Sequence, residues 1–134
     1  AALCAFSAEL NRHADRARTS LAPDPAQGSA CKRLNLYLRW MVRCDEVDPG
    51  GWTSLDPAQL IIPLDTHMHR ICRAMGLTQR NAADLKTAQE ITDAFRAIAP
   101  RDPVKYDFAI TRIGIRRDMS LESFLRDYHA AGAA

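Results

Sequence analysis

The stretch Leu60-Ile-Ile-Pro-Leu-Asp65-Thr-His-Met-His-Arg70-Ile-Cys-Arg-Ala-Met-Gly-Leu77 decides the fold class. Its first five residues are apolar and β-branched enough to read as a strand. A strand needs a partner, however, and no second strand pattern occurs in the chain, so an extended connector is expected. The connector feeds a helix. Asp65 or Thr66 starts it, because either side chain can accept a hydrogen bond from an orphan N–H of the first turn. Gly76 stops it, as a glycine in left-handed conformation commonly does.

Upstream, residues 1–20 place Leu3, Phe6, Leu10, His13 and Ala17 at three- and four-residue steps, an amphipathic helix. The segment Ala22-Pro-Asp-Pro-Ala-Gln-Gly-Ser reads as a loop. Ser29 then caps a helix running to about Arg43. Its apolar residues fall in two sets, Leu34, Leu38, Met41 and Leu36, Tyr37, Trp40, which predicts a mostly buried helix. Asp48-Pro-Gly-Gly-Trp breaks the chain again. Downstream, Leu85, Ala88, Ile91, Phe95 and Ile98 share a face of a helix over 84–98. Asp102-Pro103 restarts a helix that Gly114 ends or bends, and a last helix is expected over Leu121–Tyr128 ahead of a frayed tail. The class is all-α, one helical domain over 1–134.

The 134 residues suffice for one packed domain, and 47% hydrophobic with 25% charged residues excludes a disordered chain. A net charge of +2 permits nucleic-acid binding without demanding it. No apolar run approaches the roughly 20 residues that span a bilayer, and no signal peptide is visible, so a cytoplasmic protein with no membrane partner is expected. Cys4, Cys31, Cys44 and Cys72 lack the close spacing of zinc or iron–sulfur ligands, and they read as buried or half-buried thiols. His67 and His69 form only a weak metal pattern. No metal and no cofactor are expected, and a monomer is. The chain opens without Met in the middle of an apparent helix, which reads as an N-terminally truncated fragment.

Two segments carry chemistry. In Gly28-Ser-Ala-Cys-Lys32-Arg-Leu-Asn-Leu-Tyr-Leu-Arg-Trp40, a glycine turn opens a helix with a lysine in its first turn. Exposed N–H groups and the positive helix end suit a phosphate there, and the same potential disfavours an ammonium, as an amine nucleophile requires. In the second segment, Ile61, Ile62 and Leu64 deliver the carboxylate of Asp65 to a helix mouth, where it can take a proton or stabilise a cation. Local sequence leaves the alternatives open: Asp65 as a simple N-cap, Lys32 as a solvated helix-start residue. Gly28, Ser29, Arg33, Arg39, Arg43, His67 and Arg70 (with Arg73) are the candidate phosphate contacts. Tyr37, Trp40 and Trp52 are candidates for stacking on a base, although single aromatics at helical spacing are more often core.

Pro63-Leu-Asp-Thr-His-Met-His-Arg-Ile-Cys-Arg-Ala-Met-Gly-Leu resembles the Val-Asp-Thr-His-Val-x-Arg-Val…Gly-Leu segment of endonuclease III-type enzymes in the helix-hairpin-helix DNA glycosylase superfamily. That resemblance implies a glycosylase-like helical bundle in which Asp65 is the catalytic carboxylate and Lys32 the upstream lysine. The gap of 33 residues between them is closer to that of archaeal 8-oxoguanine glycosylases. The hairpin Leu-Pro-Gly-Val-Gly is absent, with only Gly28 remaining, and so are the iron–sulfur cysteines; the resemblance implies no cluster. Over roughly residues 20–116, Gly28–Arg43, Leu60–His67 and Asp102-Pro-Val-Lys-Tyr-Asp-Phe-Ala109 also resemble an uncharacterised bacterial family catalogued as domain of unknown function 2400. Its members are longer at the N-terminus, which implies that this chain is the C-terminal part of a longer family member. Lys105 and Tyr106 fall in that shared segment with no role to assign.

The implied mechanism is base excision from duplex DNA. A damaged nucleotide is flipped out, Asp65 stabilises the cationic sugar, and Lys32 attacks C1′ to give a Schiff base with abasic-site lyase activity. Two other classes stay open, a non-catalytic nucleic-acid-binding module and a structural helical domain.

Overall fold

The computed structural model describes residues 2–13, 22–113 and 120–132. They form six α-helices: α1 (Ala2–Arg12), α2 (Lys32–Val42), α3 (Thr66–Ala74), α4 (Leu85–Ile98), α5 (Asp107–Arg112) and α6 (Leu121–Gly132). Short 3-10 turns at Pro25–Gln27 and Pro57–Gln59 join the first three. Among the described residues there is no strand, only the isolated bridges Ser29–Asp84 and Cys44–Pro49. The all-α expectation holds.

The connector Leu60–Leu64 is extended and threads the core. Leu60, Ile62 and Leu64 are buried against Met68, Ile71, Ala88, Ile91 and Phe95. A buried strand-like backbone without a sheet must find side-chain partners. Here the Ile62 N–H donates to Thr92 Oγ1 at 3.0 Å, and that hydroxyl in turn donates to the Ala88 carbonyl at 2.6 Å. Thr92 on α4 thus does what a neighbouring strand would do. From Leu64 the chain enters α3, with Asp65 as N-cap, its Oδ1 accepting from the Met68 N–H at 2.7 Å. At the other end Gly76 sits at φ 79°. The N–H groups of Gly76 and Leu77 reach the carbonyls of Arg73 and Cys72, closing α3 with a two-bond Schellman turn.

Several local expectations shift. Ser29 does not cap α2. Its Oγ accepts from the Cys31 N–H at 3.2 Å, and the helix opens instead from Cys31, whose φ is 50°. Asp102-Pro103 starts a run of turns rather than a helix, and α5 begins only at Asp107. Ile98 points away from the core at 62% exposure, whereas Thr87 and Thr92 are buried on α4. In α1 it is Ser7, not the leucines, that is buried, and its Oγ contacts the carbonyls of Ala22 and Pro23. Of the thiols, Cys31 and Cys72 are buried and Cys4 half-buried, but Cys44 is exposed. Ala17 and Gly114, which figure in the expected helix and helix end, lie outside the described residues.

The two apolar sets of α2 separate by function. Of the first, Leu34 is buried and Leu38 packs half-buried against the core, whereas Met41 joins the cleft side; of the second, Tyr37 and Trp40 stay 39% and 44% exposed. The second set does not bury the helix; it lines a cleft between α2, α5 and the start of α3.

Candidate functional site

Lys32 is the first residue of α2 and Asp65 the N-cap of α3. The fold brings them together: Lys32 Nζ donates to Asp65 Oδ2 at 2.6 Å. One oxygen of Asp65 therefore caps its own helix and the other receives the amine. The two local alternatives, cap and reactive carboxylate, are satisfied by the same side chain. Burial pushes the Asp65 carboxyl up. The Lys32 hydrogen bond, the Met68 N–H and the Lys32 charge outweigh that and hold it below the usual carboxylate range.

The pair stands in a cleft of about 560 Å³ with walls from Leu36, Trp40, Met41, Pro63 and Phe108. Two further charged residues line it, Arg39 and Asp107. Both are nearly inaccessible, at 2% and 4% exposure. Arg39 Nη1 donates to Asp107 Oδ2 and its Nε donates to Asp48 Oδ2 at 3.1 Å. Asp48 is shared with Arg43 Nη1, and Arg43 also holds Asp102 through Nε and Asp45 through Nη2 at 2.7 Å. Arg39 Nη2 lies 3.1 Å from Asp48 Oδ2 but makes no aligned hydrogen bond, and Asp48 Oδ1 is likewise unpartnered. Burial pushes the Asp107 carboxyl up; Arg39 opposes the rise, while the charges of Asp65 and Asp48 add to it.

The arginines expected to meet phosphates are thus of two kinds. Arg39 and Arg43 are buried and committed to carboxylates, so the phosphate-contact assignment is corrected for both: their guanidiniums face inward. Arg33 and Arg70 are exposed on α2 and α3. Gly28 at φ 81° gives its carbonyl to the Leu85 N–H, and Ser29 bridges to Asp84. The backbone of that turn is therefore tied to the start of α4. His67 Nε2 lies 3.0 Å from the Ile113 carbonyl, fastening α3 to the end of α5.

The aromatic candidates also divide. Tyr37 and Trp52 pack edge-on at 5.7 Å, and both meet Phe6, joining α1 to α2. Trp40 faces the cleft outside that cluster. Phe108 on α5 is 39% exposed and also lines the cleft, with the Arg112 guanidinium 5.2 Å from its ring centre. Asp107, Phe108 and Arg112 are the site residues that sequence reasoning missed. The available signal was Asp107 itself, a carboxylate between Tyr106 and the apolar run Phe108-Ala-Ile110.

The cleft can hold a planar, largely apolar group between aromatic walls, beside an amine and two carboxyls of opposite tendency. Its polar lining is charge-balanced, two cations against two carboxylates, rather than basic. Among the described residues no group of three or more His, Cys, Asp or Glu is placed to hold a metal ion. No helix among them is long and apolar enough to cross a membrane.

One family model matches the chain, over residues 1–116, and is described as a protein of unknown function, DUF2400. No curated protein and no solved structure matches.

Proposed function

The chain belongs to that family of unknown function, and from the geometry of its cleft we propose that it is a DNA N-glycosylase with abasic-site lyase activity. In this reading the helical bundle is of the helix-hairpin-helix glycosylase type, acting as a cytoplasmic monomer on duplex DNA. The observation that carries it is the Lys32–Asp65 contact of 2.6 Å at a cleft walled by Trp40 and Phe108. Imine chemistry on a deoxyribose needs an amine, an adjacent anion to stabilise positive charge at C1′, and space for a flipped nucleotide. Lys32 supplies the first. Asp65, held ionised, supplies the second, and being a poor proton acceptor it acts through its charge. The aromatic walls supply the third, since stacking on an aromatic ring contributes about 1–3 kcal/mol per base. Phosphates fall to the exposed Arg33, Arg70 and Arg112, not to the buried arginines.

The test is trapping. Borohydride added to the protein with a duplex containing one abasic site reduces an imine to a stable cross-link, visible as a shifted band. Wild type should cross-link and Lys32→Ala should not, while Asp65→Asn should slow it by roughly 100-fold or more.

A second reading has one observation in its favour. Because Asp65 both caps α3 and receives Lys32, the pair also serves as a latch between α2 and α3 in a domain with no chemistry. It predicts duplex binding, or none, without any cross-link.

A further inference from the structure

We propose that Asp107 is the proton carrier of this site, the group that takes a proton from the Lys32 ammonium and returns it to the oxygen leaving the sugar carbon. The inference rests on the lysine-imine reading above and assigns the one step that reading leaves without a group. Lys32 meets Asp65 as an ion pair, and an ammonium has no lone pair with which to attack. Asp65 cannot relieve it, because accepting that proton would surrender the contacts that keep its carboxyl below the ordinary range.

Asp107 lines the same cleft as Lys32 and Asp65 and reaches it from α5. Its neighbours from each packed element are named readily. Arg39 on α2 donates to Oδ2; Asp65 at the head of α3 and Asp48 in the loop after α2 add negative charge; Cys72 on α3 faces it as a thiol that burial and Asp107 push up to about 12. Burial, with the charges of Asp65 and Asp48 behind it, outweighs Arg39 and makes a proton more welcome on Asp107 than on an ordinary aspartate, so the two carboxyls divide the work. Asp65 stays charged; Asp107 cycles.

The step balances. The Lys32 ammonium passes one proton to the Asp107 carboxylate, giving amine and carboxylic acid. The amine lone pair forms the N–C bond to the aldehyde carbon of an abasic sugar, and the second amine proton is retained while the first moves to oxygen, giving a carbinolamine. Asp107 then protonates that hydroxyl, water leaves with the C–O electron pair, and a protonated imine remains beside a regenerated carboxylate. No other reactant is required.

The experiment measures the single-turnover rate of cyanoborohydride cross-linking to an abasic-site duplex between pH 5 and 9, for wild type, Asp107→Asn and Asp107→Glu. Binding to a duplex with a tetrahydrofuran abasic analogue is measured by anisotropy alongside. Wild type should lose rate toward low pH as Asp107 fills with a proton. Asp107→Asn should be slower by roughly 100-fold at pH 7, should climb steadily to pH 9, and should bind the analogue within about twofold of wild type. Asp107→Glu, which keeps the carboxyl and its ionic partner, should recover most of the rate and the low-pH fall. Should Asp107→Asn fail to fold, the profile of Asp107→Glu decides. Equal rates and profiles for wild type and Asp107→Asn overturn the inference while leaving the lysine reading intact, as does a folded Asp107→Glu with no recovery. A wild-type protein that never cross-links removes both.

Discussion

Removing the Lys32–Asp65 pair should separate chemistry from stability, and the structure sets the size of the effect. The Lys32 side chain is 44% exposed and the Asp65 side chain 29%. An exposed ion pair contributes about 0–1 kcal/mol, because solvent screens the attraction and two side chains are ordered to make it. Lys32→Ala should therefore lower unfolding free energy by no more than about 1 kcal/mol. Asp65→Asn keeps a side-chain oxygen for the Met68 N–H, and Asn is nearly as good an N-cap as Asp, so its loss should also be about 1 kcal/mol. Urea unfolding of wild type, both single variants and the double variant at pH 7 closes a cycle whose coupling should be about 0.5–1 kcal/mol. The pH dependence has a definite sign. The Asp65 pKa is depressed on folding, so its contribution is present above about pH 4 and is lost as pH falls through the lower folded value. Asp65→Asn should thus show a shallower loss of stability in acid. A coupling above about 3 kcal/mol would mark the pair as a buried structural lock, and the reasoning that leaves the amine available for chemistry would fail. Zero coupling would mean that the two groups do not meet in solution.

Three other outcomes follow from the packing. Asp48 is fully buried between Arg39 and Arg43, so Asp48→Ala should leave two guanidiniums short of a partner and lower stability by about 3–5 kcal/mol in urea unfolding. Thr92→Val keeps the volume at the crossing of α4 and the connector but orphans the Ile62 N–H; a drop of about 1–3 kcal/mol is expected, and a neutral result would deny that Thr92 replaces a strand. Gly50 has φ 71°, and an added Cβ would lie 2.7 Å from Cys44 Cβ. Gly50→Ala should accordingly cost about 1–3 kcal/mol, seen as a lower thermal midpoint.

Periodicity carried most of the helical frame, and it failed where polar residues took over structural work. The steps Ala88, Ile91, Phe95 and Met68, Ile71, Cys72 are plain in the sequence and are core in the fold. Ser7, Thr87 and Thr92 are as buried as those, yet a pattern of apolar spacings passes over them, because what buries a hydroxyl is a distant carbonyl or amide that only the tertiary fold supplies. The start of α2 failed for a related reason. Ser29 is a good cap by type, but its hydroxyl is taken by the turn that ends at Cys31.

The site was half legible for the same physical reason. Lys32 and Asp65 each sit at a helix start that punctuation in the sequence marks, so their positions could be read even though their 2.6 Å contact could not. Arg39 and Arg43 show the opposite case. On a helix face, arginine usually means solvent, and nothing local distinguishes one aimed inward. Their burial depends on Asp48, Asp102 and Asp107, carboxylates up to 68 residues away, closing round them. Once those charges neutralise each other inside, the cleft above them loses the strongly basic floor that a run of arginines had implied. A ligand must then be drawn by its ring and its electrophilic carbon more than by its phosphates. Binding governed that way should weaken with salt only gently, in proportion to the exposed arginines assigned to phosphates, Arg33, Arg70 and Arg112, with a slope of about −2 to −3 in a plot of log affinity against log salt concentration. A slope several units steeper would mean that many more phosphates are held than these three arginines can serve, and would place the nucleic-acid contact somewhere other than the cleft.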